Sequence, residues 1–223
     1  FMVAVSIGTG VGTNALLARL LGLGDKDRAD AAVGNAQFLA LVISAVFMLF
    51  SAVGVVPYVN SQSAGGSISG EVLSEAIDYL HICCGIPFGI VFFSVYEKTL
   101  QATGRSLWST VAQISGWGAA VATVVGQLVS MALGLAFHLK LNVELDSSLR
   151  YWKPRWDVIR SIYAIGLPAI ISQALLTVMT YSLNLILAVM PDVGQNAVTV
   201  YGLYYKIQQL IIFAAFGVRD AIT

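Results

Sequence analysis

The chain has 223 residues, 57% of them hydrophobic and only 11% charged, with a formal net charge of zero and a mean hydropathy of +0.80. A soluble domain carries about 25% charged residues, so this composition excludes an ordinary soluble globule and points to an all-α integral membrane protein, a polytopic helical bundle. No basic tract with interleaved aromatics is present, which argues against a nucleic-acid partner, and the adjacent Cys83 and Cys84 suit neither a disulfide nor a metal site.

Apolar windows give the spans in chain order. The first runs from Phe1 to about Leu21 and is rich in Gly, Ser and Thr. It begins without a signal peptide or an initiator Met, so the sequence reads as a piece of a longer protein. A polar connector, Gly22 to Asp30, leads to a second span over about Ala31 to Tyr58. A loop of Ser, Gly and Gln (Asn60 to Gly70) precedes a third span, about Ala76 to Val95, which Pro87 is expected to kink. Next come 34 apolar residues from Ser106 to Leu139, then an amphipathic linker from Lys140 to Ser161. The last two spans cover about Ile162 to Val189, with a second expected kink at Pro168, and Ala197 to Val218.

Lys and Arg set the orientation. Arg19, Lys26 and Arg28 place the first connector in the cytoplasm, whereas the Asn60 to Gly70 and Met190 to Asn196 loops lack basic residues and face outside. Alternation fails only at Ser106 to Leu139, which is basic on both flanks: Lys98 and Arg105 before it, Lys140, Arg150 and Lys153 after it. Both ends therefore face the cytoplasm. Two full crossings need about 40 residues plus a turn, so 34 residues are too few for two spans and too many for one. A re-entrant hairpin and two thin helices are alternatives. The preferred reading is a missing segment of about 20 to 25 residues, joined near Gly116-Trp117-Gly118.

Small residues mark possible helix contacts: Gly8 with Gly12, and Gly85 with Gly89, each a GxxxG pair. Membrane helices are rich in glycine anyway, so either pair is a contact or background. Ser6, Thr9 and Thr13 share a face, and hydroxyls there can return their hydrogen bonds to the helix backbone. Glu71, Glu75 and Asp78 complement the start of the third span.

Polar groups inside spans are the first candidates for function. Gln173, Thr177, Thr180 and Asn184 fall at offsets of four, seven and eleven, a single helical stripe, with Tyr181 beside it. Lys206 lies near the middle of the last span, too far from either end to reach an interface easily, with Gln209 on its face and Tyr205 adjacent. Together they suggest two walls of a water-accessible cavity, with a cavity-lining or charge-pairing role for Lys206. Helix-to-helix hydrogen bonding is the bland alternative for each amide or hydroxyl. His81 and His138 have no partner at ligand or triad spacing, and no HExxH, GxSxG or phosphate-loop motif occurs, so an enzyme is not expected. Nothing in the pattern calls for a cofactor or a metal.

Four stretches carry a resemblance. Arg19 to Asp25 (RLLGLGD) with Arg28-Ala29, Glu97 to Gly104 (EKTLQATG), Gly118 to Gln127 (GAAVATVVGQ), and Gly166-Leu167-Pro168-Ala169 with Gln173 resemble, in this order, segments of the multidrug and toxic compound extrusion family. The resemblance implies helices two to eight of a twelve-helix, two-lobe (6+6) transporter, with most of helix five absent. It divides the chain into an incomplete N-terminal lobe (1–139), a cytoplasmic inter-lobe linker (140–161) and the start of a C-terminal lobe (162–223). The function it implies is cation-coupled antiport of amphipathic or cationic drugs by alternating access, in a multi-pass protein of the bacterial inner membrane, monomeric when complete. The coupling ion, H⁺ or Na⁺, stays open, because no carboxylate lies between Ile162 and Val189. Alternatives are a lipid-linked oligosaccharide flippase of the same superfamily and a truncated, non-transporting membrane protein.

Overall fold

A computed structural model describes residues 2–63, 70–118, 123–146, 148–188, 200–205 and 207–208. Helix α1 (Met2–Gly22) is followed by a turn at Leu23 and Gly24 and then by α2 (Lys26–Val53). Gly24 has φ +71°, where a side chain would be strained. Asp25 caps α2 by accepting the Arg28 N–H at 3.2 Å. The expected connector is thus shorter than Gly22 to Asp30, since Lys26 to Asp30 already form the first turn of α2. The second span is also divided: α2 ends at Gly54, and Val55–Ser63 form a separate helix, α3.

The third span is a bent pair, α4 (Gly70–Gly85) and α5 (Phe88–Ala102), crossing at 47° across Ile86 and Pro87. This is the break expected of a proline that cannot continue the hydrogen-bond ladder. In contrast, α8 (Trp156–Ala188) continues as one 33-residue helix through Pro168. Four helices among the described residues are long and apolar enough to cross a membrane, or five with the bent pair counted as one.

Between them the contested stretch forms α6 (Ser106–Gly118) and α7 (Thr123–Leu141). Trp108 near the start of α6 packs on Phe137 near the end of α7, with ring centroids 5.1 Å apart, so the two run antiparallel. At 1.5 Å per residue the 13 residues of α6 rise only about 20 Å, whereas the 19 of α7 rise about 28 Å. The stretch therefore contains two antiparallel helices, and α7 is long and apolar enough to cross a membrane. The expected join lies at the end of α6, and 119–122 fall outside the described residues.

Close packing follows the small residues. A Cβ on Gly12 would lie 2.1 Å from the Ile162 carbonyl oxygen, and one on Gly166 would lie 2.4 Å from that of Gly8. The backbones of α1 and α8 therefore touch, and the Gly8 and Gly12 pair is a true helix contact. In the second pair only Gly89 behaves so, against Gln127 of α7, while Gly85 meets nothing closer than Ser51 Oγ at 3.6 Å. Below the glycines, Leu16, Leu17 and Leu20 of α1 join Ala32 and Val33 of α2 and Val158, Ile159 and Ile162 of α8 in a buried cluster. A second cluster, Ala36, Ala40 and Ile43 with Val91 and Val95, fastens α2 to α5. Ser6, Thr9 and Thr13 donate to the carbonyls of Met2, Val5 and Thr9 at 2.8–2.9 Å, the structural role expected of them.

Candidate functional site

The polar stripe of α8 continues the face that packs on α1. At 100° per residue, Ile162, Gly166, Ile170, Gln173, Thr177, Thr180 and Asn184 all fall within about 80° around the helix axis. The first three touch α1 or stand against its glycines. Further along the same face Gln173 and Thr180 are half-buried, and Thr177 and Tyr181 are exposed. The two helices meet along Gly8, Gly12, Ile162 and Gly166, and the polar stripe lies beyond that contact on the same face of α8.

The hydroxyls of the stripe are internally satisfied. Thr177 donates to the Gln173 carbonyl at 3.1 Å and Thr180 to the Leu176 carbonyl at 3.0 Å. Each oxygen keeps accepting capacity, so the face offers acceptors together with the Gln173 amide. The side chain of Asn184, and Lys206 and Gln209 altogether, lie outside the described residues. Tyr205 is half-buried, and its ring lies 6.3 Å from that of Tyr201. Of the eight residues singled out in the sequence, the structure places Gln173, Thr177, Thr180 and Tyr181 together on one open length of α8.

A second polar constellation escaped the sequence reading. Asp30, Asn35 and Gln37 of α2 are each at most 3% exposed. Asp30 Oδ1 accepts the Asp146 N–H, Asn35 Oδ1 accepts the Arg155 N–H, and Gln37 Oε1 accepts Trp152 Nε1–H, each at 2.8 Å. Gly34 lets the chain pass close by: a Cβ there would lie 2.4 Å from the Tyr151 carbonyl oxygen. Asn142 adds a fourth fastening, accepting from Thr103 Oγ1 at 2.9 Å and from Arg105, and meeting His138 Nδ1 at 3.0 Å. The connection between α7 and α8, residues 142–155, is therefore strapped to the first turns of α2 and to the turn after α5.

A third group lies on α5. Lys98, 7% exposed, packs its stem against Gly10, donates to Gln101 Oε1 at 2.8 Å and sits 3.4 Å from Glu97. Gln101 in turn donates to Glu97 at 3.1 Å. This closed triad keeps a buried ammonium compensated. His138, 1% exposed and stacked on Tyr96 at 5.6 Å, is a satisfied core histidine.

Comparison with known proteins bears on what this arrangement does. The MatE family model matches residues 1–129. The multidrug export protein MepA of Staphylococcus haemolyticus (strain JCSC1435) is 25% identical, over all of this chain and 52% of its own length. The chain thus spans about half the length of the curated relatives it matches. That alignment covers 244 positions against the 223 residues here, so at least 21 positions of the relative, about one helix, have no counterpart. Two solved structures are similar at a TM-score of 0.78 and 25% identity. One is the inward-facing and the other the outward-facing conformation of a multidrug resistance MATE family transporter of the MOP superfamily. This chain is covered to 97% and 99%, and theirs to 52% each.

Proposed function

Since this chain belongs to the MatE family and is a multi-pass plasma-membrane protein, we propose that it forms part of a cation-coupled exporter of amphipathic or cationic drugs. In this reading α1 and α8 belong to opposing lobes. They meet on the cytoplasmic side along Gly8, Gly12 and Gly166, and further out Gln173, Thr177, Thr180, Tyr181 and Asn184 line the cleft between the lobes. Tyr205, Lys206 and Gln209 form its second wall. The observation that carries the proposal is the shared helical face: the stripe of α8 that makes a backbone contact at Gly166 carries Gln173, Thr177 and Thr180 further along. A face used for both purposes suits a helix that alternately seals and exposes a path. The named relatives, multidrug export and resistance proteins, support the substrate class.

The transported compounds are small molecules, and the coupling ion is H⁺ or Na⁺. Proteoliposomes of a full-length relative carrying these residues, loaded with a cationic dye, test both points. Efflux driven by an imposed proton or sodium gradient is expected, and the gradient that drives it names the ion. Dye retention under both gradients would overturn the reading.

The shortfall against the relatives favours a second statement about the 223 residues themselves. Reconstituted alone, they do not transport, because about one helix of the relatives has no counterpart in them. Cation-driven efflux above that of empty liposomes would disprove this.

A further inference from the structure

At the cytoplasmic end of the α1–α8 contact, an open groove of about 320 Å³ lies between the last turns of α1, the first turn of α2 and the base of α8. Its lining includes Arg19, Arg28, Leu20, Leu23, Ser161 and Ile165. Both arginines are exposed, and among the described residues neither side chain makes an ion pair. Arg28 uses only its backbone N–H, on Asp25. Leu23 and Ile165 are exposed beside them, at 69% and 41%. The Ser161 hydroxyl already donates to the Asp157 carbonyl at 2.8 Å, which leaves the two guanidinium groups as the free donors.

Two cations and an apolar lining, at the level where membrane meets cytoplasm, match one chemistry. We propose that this groove binds the phosphate headgroup of an anionic phospholipid from the cytoplasmic leaflet, with the acyl chain along Leu23 and Ile165. Guanidinium groups present paired N–H donors that fit phosphate oxygens, and basic pockets between helices on the cytoplasmic side suit anionic headgroups. Arg19 sits on α1, Arg28 on α2 and Ile165 on α8, so a bound headgroup braces all three helices where they meet. Nothing in this assignment depends on which compound the protein exports.

Native mass spectrometry of the 223-residue chain in neutral detergent, titrated with phosphatidylglycerol or phosphatidylcholine, tests it. Phosphatidylglycerol is expected to be retained in preference. The double substitution Arg19→Gln/Arg28→Gln should weaken it about thirtyfold, from roughly 1 kcal/mol per basic residue. The equally charged control Arg150→Gln/Lys153→Gln should leave retention unchanged, and Arg19→Lys/Arg28→Lys should keep most of it. Ile165→Trp fills the groove while leaving both charges, and should also lose the lipid; it carries the test if the arginine variant fails to fold. Equal retention of the two lipids, equal loss in the control pair, or full competition by inorganic phosphate alone would each overturn the proposal, the last by naming a free anion as the ligand.

Discussion

The backbone N–H of Arg155 is held by the side-chain oxygen of Asn35, 120 positions earlier in the chain, at 2.8 Å. The same amide donates back to the Ala31 carbonyl at 2.8 Å, so one side chain satisfies its own helix and ties down the foot of α8. Replacing it by Ala removes a part-buried hydrogen bond to that N–H, which costs about 0.5–1.5 kcal/mol. Asn35→Ala is expected to lower the thermal midpoint and to speed tryptic cutting after Arg150 and Arg155. An unchanged digestion pattern would mean that the strap is held by its other contacts.

The glycine contact makes a sharper demand. Even one methyl at Gly12 meets the Ile162 carbonyl oxygen, which is backbone and cannot rotate away. Gly12→Ala should separate α1 from α8 and destabilise the chain by about 1–3 kcal/mol, whereas Gly22→Ala, with open space around it, should be nearly silent. Thermal unfolding in detergent compares the two; equal midpoints would refute the backbone contact.

Along α8, accessibility should follow the stripe. After replacement of the free Cys83 and Cys84, single cysteines from Gly166 to Val189 are expected to react with a water-soluble thiol reagent at positions 173, 177, 180 and 184, with helical period. Uniform protection would make the stripe a buried seam between helices.

Lys206 is expected to face the transport path, because a mid-span ammonium in hydrocarbon is costly. In a full-length relative, Lys206→Ala should reduce dye efflux without reducing the amount of protein in the membrane. Efflux at the parent rate would remove Lys206 from the site.

Different parts of the molecule were legible to different degrees. Pro87 announced the bend between α4 and α5 because ring closure removes a donor whatever surrounds it. That the 34 residues from Ser106 to Leu139 are too few for two full crossings was also visible, since it follows from residue count and bilayer thickness alone. At Pro168 the helix does not break: α8 continues on both sides of the ring. The strap was missed for a different reason. Asp30 and Asn35 bind backbone N–H groups of 146 and 155, and a backbone donor leaves no mark in the sequence. The stripe from Gln173 was legible as a face, but that the same face becomes a glycine contact at Gly166 required knowing where α1 stands.

Fastening the foot of α8 gives that helix the mechanics of a lever. Its 33 residues measure about 50 Å at 1.5 Å per residue. With the foot pinned at Asn35, a rigid tilt of about 10° swings the far tip by about 9 Å while the base hardly moves. Gln173 lies midway along the arm and travels about half that distance, comparable to the width of a planar aromatic ring. The amplitude available at the polar stripe is therefore set by how firmly three side chains of α2 grip the chain beneath it.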